Sequence, residues 1–146
     1  MLVRDAMTRH VITISMDATL REVKQVFDAA PFHHLIVTEH GKVVGVLSDR
    51  DLLRNISPFL GKMAERNQDL ASLDRKVHQI MTRHVRFIGP ETTLAEAGKR
   101  MIDERISCLP VVDDSERPVG IVTIRDIARV AIDILGDFER TSGSAA

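Results

Sequence analysis

The chain has 146 residues, 44% hydrophobic and 28% charged, with a formal net charge of −1, and no apolar run reaches the roughly 20 residues that cross a bilayer, so no membrane span is expected. Acids and bases are interspersed, aromatics make up 3%, and Trp and Tyr are absent, which leaves neither a basic stripe nor stacking platforms for nucleic acid. The single cysteine, Cys108, allows no internal disulfide framework, and no signal-peptide core follows Met1, so a cytoplasmic protein is expected.

In chain order, Val3 to Met7 reads as a short helical turn and Val11 to Ile14 as a strand. Thr19 and Glu22 have the spacing of a capping box. From there Leu20, Val23, Phe27 and Ala30 recur at helical spacing. Two strands follow, Leu35 to Val37 and Val43 to Leu47, joined by the turn Glu39-His40-Gly41-Lys42. A helix from Asp49 to Ile56 stops at Ser57-Pro58, because proline removes a donor and fixes φ. Ser57 to Arg75 reads as a polar linker or short exposed helix.

The sequence then repeats. Met-Thr-Arg-His-Val occurs at Met7 to Val11 and again at Met81 to Val85, an offset of 74. At that offset Thr93 and Glu96 match Thr19 and Glu22, and Leu109 and Val111 match Leu35 and Val37. A helical turn at Val77 to Met81 and a strand at Val85 to Ile88 are predicted. They precede a helix whose apolar positions include Leu94, Ala97, Met101 and Ile102. Strands at Leu109 to Val112 and Val119 to Thr123 flank the turn Asp113 to Pro118, and a helix runs from Ile124 to Leu135. The unit strand, helix, strand, strand, helix occurs twice. Each copy alone would bury too little surface for comfortable stability, so the fold class is α+β with two repeats packed in pseudo-two-fold fashion. The expected divisions are residues 1–57, a linker at 58–75, a second repeat at 76–136 and a C-terminal tail at 137–146, of which the small, polar stretch Thr141 to Ala146 is expected to be frayed.

The chemistry resides at a recurring strand-to-helix junction. Gly45 to Asp51 and Gly120 to Asp126 share the pattern glycine, two aliphatics, a hydroxyl, any residue, Arg, Asp. At such a junction backbone N–H groups and the positive end of the helix dipole suit anions and sugar hydroxyls. The same residues fit plain helix capping, with Ser48 and Thr123 as N-caps and Arg50-Asp51 and Arg125-Asp126 as first-turn charges. The histidines, His33-His34 among them, lack a metal-cage spacing, and Cys108 has no partner that marks a nucleophile. Neither a P-loop nor a Gly-x-Gly-x-x-Gly motif is present. No metal, no cofactor and no enzymatic activity are expected.

Met81-Thr82, Thr93-Leu94-Ala95-Glu96-Ala97 to Met101, Leu109-Pro110-Val111-Val112-Asp113 and Gly120 to Ile127 together resemble the CBS domain. The first copy is looser, with Ile36 where Pro110 stands. Two such units resemble a Bateman module. That resemblance implies an adenosine-containing regulatory ligand, AMP, ADP or ATP before S-adenosylmethionine or NAD. It implies Asp51 and Asp126 as holders of the ribose diol, Ser48 and Thr123 near ribose or phosphate, and Val46 and Ile121 against adenine. It further implies that Asp51 works with Phe87, Ile106 and Ser107, and Asp126 with Thr13, Phe32 and His33. The two residues before the second strand often meet phosphates in this family. Here they are His33-His34 and Ser107-Cys108, so the Asp51 site is expected to bind phosphate better, more so below about pH 6.5 where free histidine protonates. A homodimer through the helices after Asp49 and Ile124, covering Leu52, Leu53, Ile127, Val130 and Ile134, and an unidentified downstream protein complete the expectation. The alternative is a nucleotide-independent dimerisation or interaction module.

Overall fold

The structure, a computed structural model, describes residues 1–143. In chain order its elements are α1 (Val3–Ala6), β1 (Thr13–Ser15), α2 (Leu20–Ala29), β2 (His34–Glu39), β3 (Lys42–Ser48), α3 (Asp49–Asn55), α4 (Asn67–Ala71), α5 (Leu94–Glu104), β4 (Cys108–Val112), β5 (Pro118–Thr123) and α6 (Ile124–Gly143). They form two compact units that interleave along the chain. One comprises Val11–Val85 with Ser115–Pro118 and is called the first-repeat unit below. The other comprises Met1–His10, Arg86–Asp114 and Val119 onward, the second-repeat unit.

In the first-repeat unit the sheet order is β1-β2-β3, with β1 parallel to β2 and β2 antiparallel to β3. The β2–β3 turn places His40 at φ 50° and Gly41 at φ 79°. Two successive left-handed residues are what a tight type I′ hairpin needs, since its twist matches that of the flanking strands. One sheet face carries Ile14, Leu35, Val37 and Leu47, and α2 covers it with Leu20 and Val23; Leu52, Val77 and Met81 complete this cluster. The α2 capping box forms as the spacing predicts. The Thr19 hydroxyl accepts from the Glu22 N–H at 3.3 Å, and the Glu22 carboxylate accepts from the Thr19 N–H at 2.6 Å.

Between the repeats, Ser57 to Arg75 is a folded connection containing α4 and a 3-10 turn at Ser72–Asp74. Its centre is the buried Asp69, 8% exposed. That carboxylate accepts from the Ser57 hydroxyl at 2.6 Å and the Arg66 N–H at 2.8 Å, which satisfies both oxygens. The connection then returns to the start of α2, where the Arg75 carbonyl accepts from the Leu20 N–H at 2.9 Å.

In the second-repeat unit, α5 buries Leu94, Ala97 and Met101 against Leu109, Val111 and Val122 of β4 and β5. Val3 of α1 joins this core fully buried, its N–H donating to the Thr92 carbonyl at 2.8 Å. Helix α6 lies close on α5, because a Cβ at Gly98 would stand 3.3 Å from Ile127. Three expectations change here. The strand at Val85 to Ile88 reduces to a single parallel bridge, Ile88 with Val111. Thr93 caps the Glu96 N–H at 3.2 Å, but Glu96 turns away to pair with Arg100, so only half of that capping box forms. And α6 continues past Leu135 to Gly143, so the expected tail is helical from 137 to 143, Thr141 to Gly143 of its expected frayed stretch included; Ser144 to Ala146 lie outside the described residues.

Candidate functional site

The leading arms explain how the glycine-hydroxyl-aspartate segments are held. In the first-repeat unit Met81 and Thr82 dock on the start of the motif. A Cβ at Gly45 would stand 2.8 Å from the Met81 sulfur and 3.0 Å from the Thr82 carbonyl. Glycine is therefore required by close approach of another chain segment rather than by its own φ. The Val46 N–H donates to the Thr82 carbonyl at 3.2 Å and the Thr82 N–H returns to Val46 at 3.0 Å. The second-repeat unit repeats this arrangement with Met7 over Gly120, and Thr8 paired with Ile121 at 2.9 and 3.0 Å.

Val46 is 8% and Ile121 9% exposed, yet neither belongs to the apolar cluster of its unit. The alternation of strand side chains accounts for this: Leu47 faces the core, so Val46 faces the other side of the sheet. Register places Thr13, Ile36 and Val46 side by side across β1, β2 and β3 on that second face. Thr13 and Val46, two of the expected lining residues, thus flank Ile36 in one cross-strand row. Ile36, 1% exposed at its centre, was not among the expected residues, although its alignment with Pro110 marks the position.

At the end of β3 the chain turns into α3 through a full capping box. The Ser48 hydroxyl accepts from the Asp51 N–H at 3.1 Å, while Asp51 Oδ2 accepts from the Ser48 N–H and the Ser48 hydroxyl, both at 2.8 Å. Asp51 Oδ1 has no hydrogen-bonding partner among the described residues. The Asp49 N–H is already taken by the His33 carbonyl at 3.0 Å. The N-terminus of α3 therefore has few free donors for an anion, and the acceptor it offers is the second oxygen of Asp51. Arg50 is exposed beside it.

The junction of β5 and α6 has the same box in Thr123 and Asp126. Asp126 Oδ2 accepts from the Thr123 N–H at 2.8 Å and from its hydroxyl at 2.7 Å. The Ile124 N–H donates to the Ser107 carbonyl at 2.9 Å, as Asp49 does to His33. One difference stands out: Asp126 Oδ1 accepts from Arg129 at 2.8 Å, and Asp126 is 6% exposed. Arg125 is exposed in the first turn, Ile106 is half-buried and Phe87 is 37% exposed in the same unit.

His33 and Phe32 take a different place. Phe32 packs on Phe27, ring centroids 5.8 Å apart, and His33 Nδ1 lies 2.8 Å from Asp49 Oδ2. Both line a groove of about 330 Å³ with Pro31, Leu52, Leu53 and Ile56, on the helical side of the first-repeat unit. His34, at the start of β2, has its pKa lowered by burial, with His33 adding to the effect and Asp49 and Asp51 opposing it. The expectation that this histidine gains charge below about pH 6.5 is corrected, since burial disfavours the cation and moves its protonation to lower pH. Burial alone raises the Asp49 carboxyl, but the bonds from His33 and the Arg50 N–H hold it net below the usual range. Among the described residues no group of three His, Cys, Asp or Glu side chains is arranged to hold a metal ion, and no helix is long and apolar enough to cross a membrane.

Comparison with known proteins gives one family. The CBS domain model matches residues 3–58 and again 77–133. A CBS domain-containing protein of Dictyostelium discoideum is 34% identical over 138 residues, covering 92% of this chain and 93% of that protein. The crystal structure of the CBS domain pair of protein MJ0100, in complex with 5′-methylthioadenosine and S-adenosyl-L-methionine, is 30% identical. It superposes with a TM-score of 0.73 over 89% of this chain and 98% of that one. The cytosolic domain of the Mg2+ channel MgtE, in complex with ATP, is 28% identical with a TM-score of 0.67, over 86% of this chain and 46% of that one. Other relatives are enzymes, among them an L-aspartate semialdehyde sulfurtransferase and a homoserine O-acetyltransferase, of which the chain spans about a quarter.

Proposed function

The chain belongs to the CBS domain family with the domain present twice, and from that premise we propose that it is a regulatory module that binds an adenine nucleotide and passes the bound state to a partner protein. Asp51 and Asp126 hold the ribose diol, Ser48 and Thr123 lie near ribose or phosphate, and Val46 and Ile121 meet adenine. Thr13, His34 and Arg50 in the first repeat, and Phe87, Ile106, Ser107 and Arg125 in the second, are further candidates for ligand contact, whereas Phe32 and His33 line the groove on the helical side. The observation that carries the proposal is Asp51: its Oδ2 locks the helix start, while Oδ1 is left as an acceptor in the first turn after β3, the strand that carries the buried Val46. An ionised carboxylate oxygen following such a strand suits a sugar hydroxyl with an attached flat base. The adenosine-containing ligands of the MJ0100 pair and the MgtE domain support this choice.

A ligand that binds only the folded state at about 100 times its dissociation constant adds roughly 2.7 kcal/mol. A chain of this size moves about 2–4 °C per kcal/mol. Thermal melts with millimolar AMP, ADP, ATP, S-adenosylmethionine and NAD should show a rise of roughly 5–11 °C for at least one; a flat response to all five would remove the nucleotide reading.

A second reading, self-association, rests on α6. Ile132, Ile134, Leu135 and Phe138 are 58–69% exposed along its outer half, an apolar surface that monomers rarely leave uncovered. Of the residues expected at a dimer face, Leu53 and Ile134 are exposed, but Leu52 belongs to the core and Ile127 and Val130 pack against Gly98 and its neighbours. The α6 surface offered to a second copy is therefore the stretch from Ile132 to Phe138.

A further inference from the structure

The two motif aspartates differ in one contact. Asp51 keeps Oδ1 without a hydrogen-bonding partner among the described residues, whereas Oδ1 of Asp126 accepts from Arg129 at 2.8 Å. The difference does not follow from residue type, because the first repeat also has an arginine three residues after its aspartate. That residue, Arg54, makes no ion pair or hydrogen bond among the described residues, and its helix ends one residue later at Asn55. Arg129 stands in the second turn of a 20-residue helix, where long side chains point back over the preceding turn and meet residue i−3. Its own side chain is 63% exposed and that of Asp126 9%. The guanidinium thus lies over the outer oxygen of an otherwise buried carboxylate.

We propose that Arg129 is an autoinhibitory latch on the second-repeat nucleoside site. Oδ2 of Asp126 is committed to Thr123, so Oδ1 is the oxygen that a ribose diol must reach, and Arg129 occupies it. Ribose binds there only when Arg129 swings away. The Asp51 site has no latch and fills first. This rests on the assignment of the aspartates to ribose proposed above and adds a residue that sets the order and selectivity of the two sites.

The probe is adenosine, which carries the diol and no phosphate, so that removing the arginine charge acts through Asp126 alone. In an Asp51→Ala background, where the Asp126 site is left, adding Arg129→Ala should tighten adenosine binding about fivefold, the upper range for releasing a partly exposed ion pair. Arg54→Ala in the same background should change nothing. Raising salt should likewise tighten adenosine binding to the Asp51→Ala protein, because it screens the exposed guanidinium, and should have no such effect once Arg129 is removed. Unchanged or weaker binding after Arg129→Ala, with the wild type still binding adenosine, overturns the latch and leaves the nucleotide proposal standing. Failure of adenosine to bind any of these proteins, wild type included, overturns both. Arg129 is exposed, so its variants fold, and a melt of each confirms it.

Discussion

Replacing Asp51 by Ala should have two separable effects, because its carboxylate has two jobs. Oδ2 closes the capping box at the start of α3, accepting twice from Ser48 at 2.8 Å. Loss of a cap costs about 0.5–2 kcal/mol, and loss of an acidic charge from a first helical turn about 0.3–1 kcal/mol. The Ser48 hydroxyl still accepts from the N–H of residue 51, so a total of about 1–2 kcal/mol is expected, or roughly 2–8 °C in melting temperature for a chain of this size. Oδ1, by contrast, is the oxygen proposed to meet the ligand. A hydrogen bond to a charged group contributes about 1.5–3 kcal/mol, roughly 10- to 150-fold in affinity. Glu22→Ala is the control, since Thr19 and Glu22 form the same reciprocal box on α2 in the same unit, away from Ser48 and Asp51. Calorimetric titration with AMP, run beside thermal melts, separates the roles: both variants melt lower, and only Asp51→Ala loses affinity. If Asp51→Ala melts lower and binds AMP as the wild type does, the aspartate is a helix cap and nothing more.

Gly45→Ala should destabilise by about 1–3 kcal/mol in urea unfolding, because its Cβ would meet the Met81 sulfur at 2.8 Å and the Thr82 carbonyl at 3.0 Å; a neutral result would mean that the arm is not docked there. Acid unfolding should report the capping carboxylate of Glu22, whose pKa is lowered from 4.5 by bonds from the Thr19 N–H and hydroxyl. A depressed folded pKa gives stability that is present above the unfolded value and lost as pH falls through the folded one. Glu22→Gln keeps the capping contact without titrating and should flatten the melting profile below about pH 4.5; an identical acid limb in both proteins would contradict it. Phe138→Glu should shift a dimer toward monomer in light scattering at micromolar protein, and a mass unchanged from wild type would exclude the outer half of α6 as the contact.

Most of this architecture is legible in the sequence because local signals and periodicity carry it. Thr19 with Glu22 announces a helix, His40-Gly41 a tight turn, and the offset of 74 a second copy of each. What escaped depends on partners far along the chain. Val85 to Ile88 reads as a strand, but pairing with β4 is a tertiary event and only Ile88 achieves it. Gly136, a residue type favoured just past a helix end, sits inside α6, where the apolar spacing Ile127, Ala131, Ile134, Phe138 continues. The docking of the arms was also hidden. Sequence similarity assigns Met7 and Thr8 to the first repeat, and only the pairing with Gly120 and Ile121 shows that they complete the second-repeat unit. At the candidate site the alternatives of cap or ligand residue turn out not to compete, since each aspartate offers one oxygen to the helix start. The contact of Arg129 with Asp126 had no sequence signal, because Arg54 occupies the matching position and makes no such contact.

Native mass spectrometry of the wild-type protein and of an Asp51→Ala, Asp126→Ala double variant, each titrated with AMP, ATP and S-adenosylmethionine, tests the central claim most directly. The account predicts saturable adducts of at least one of these ligands on the folded wild type, and none at the same concentrations on the folded double variant. Adducts of equal occupancy on both proteins, or none on the wild type with any ligand, would contradict it.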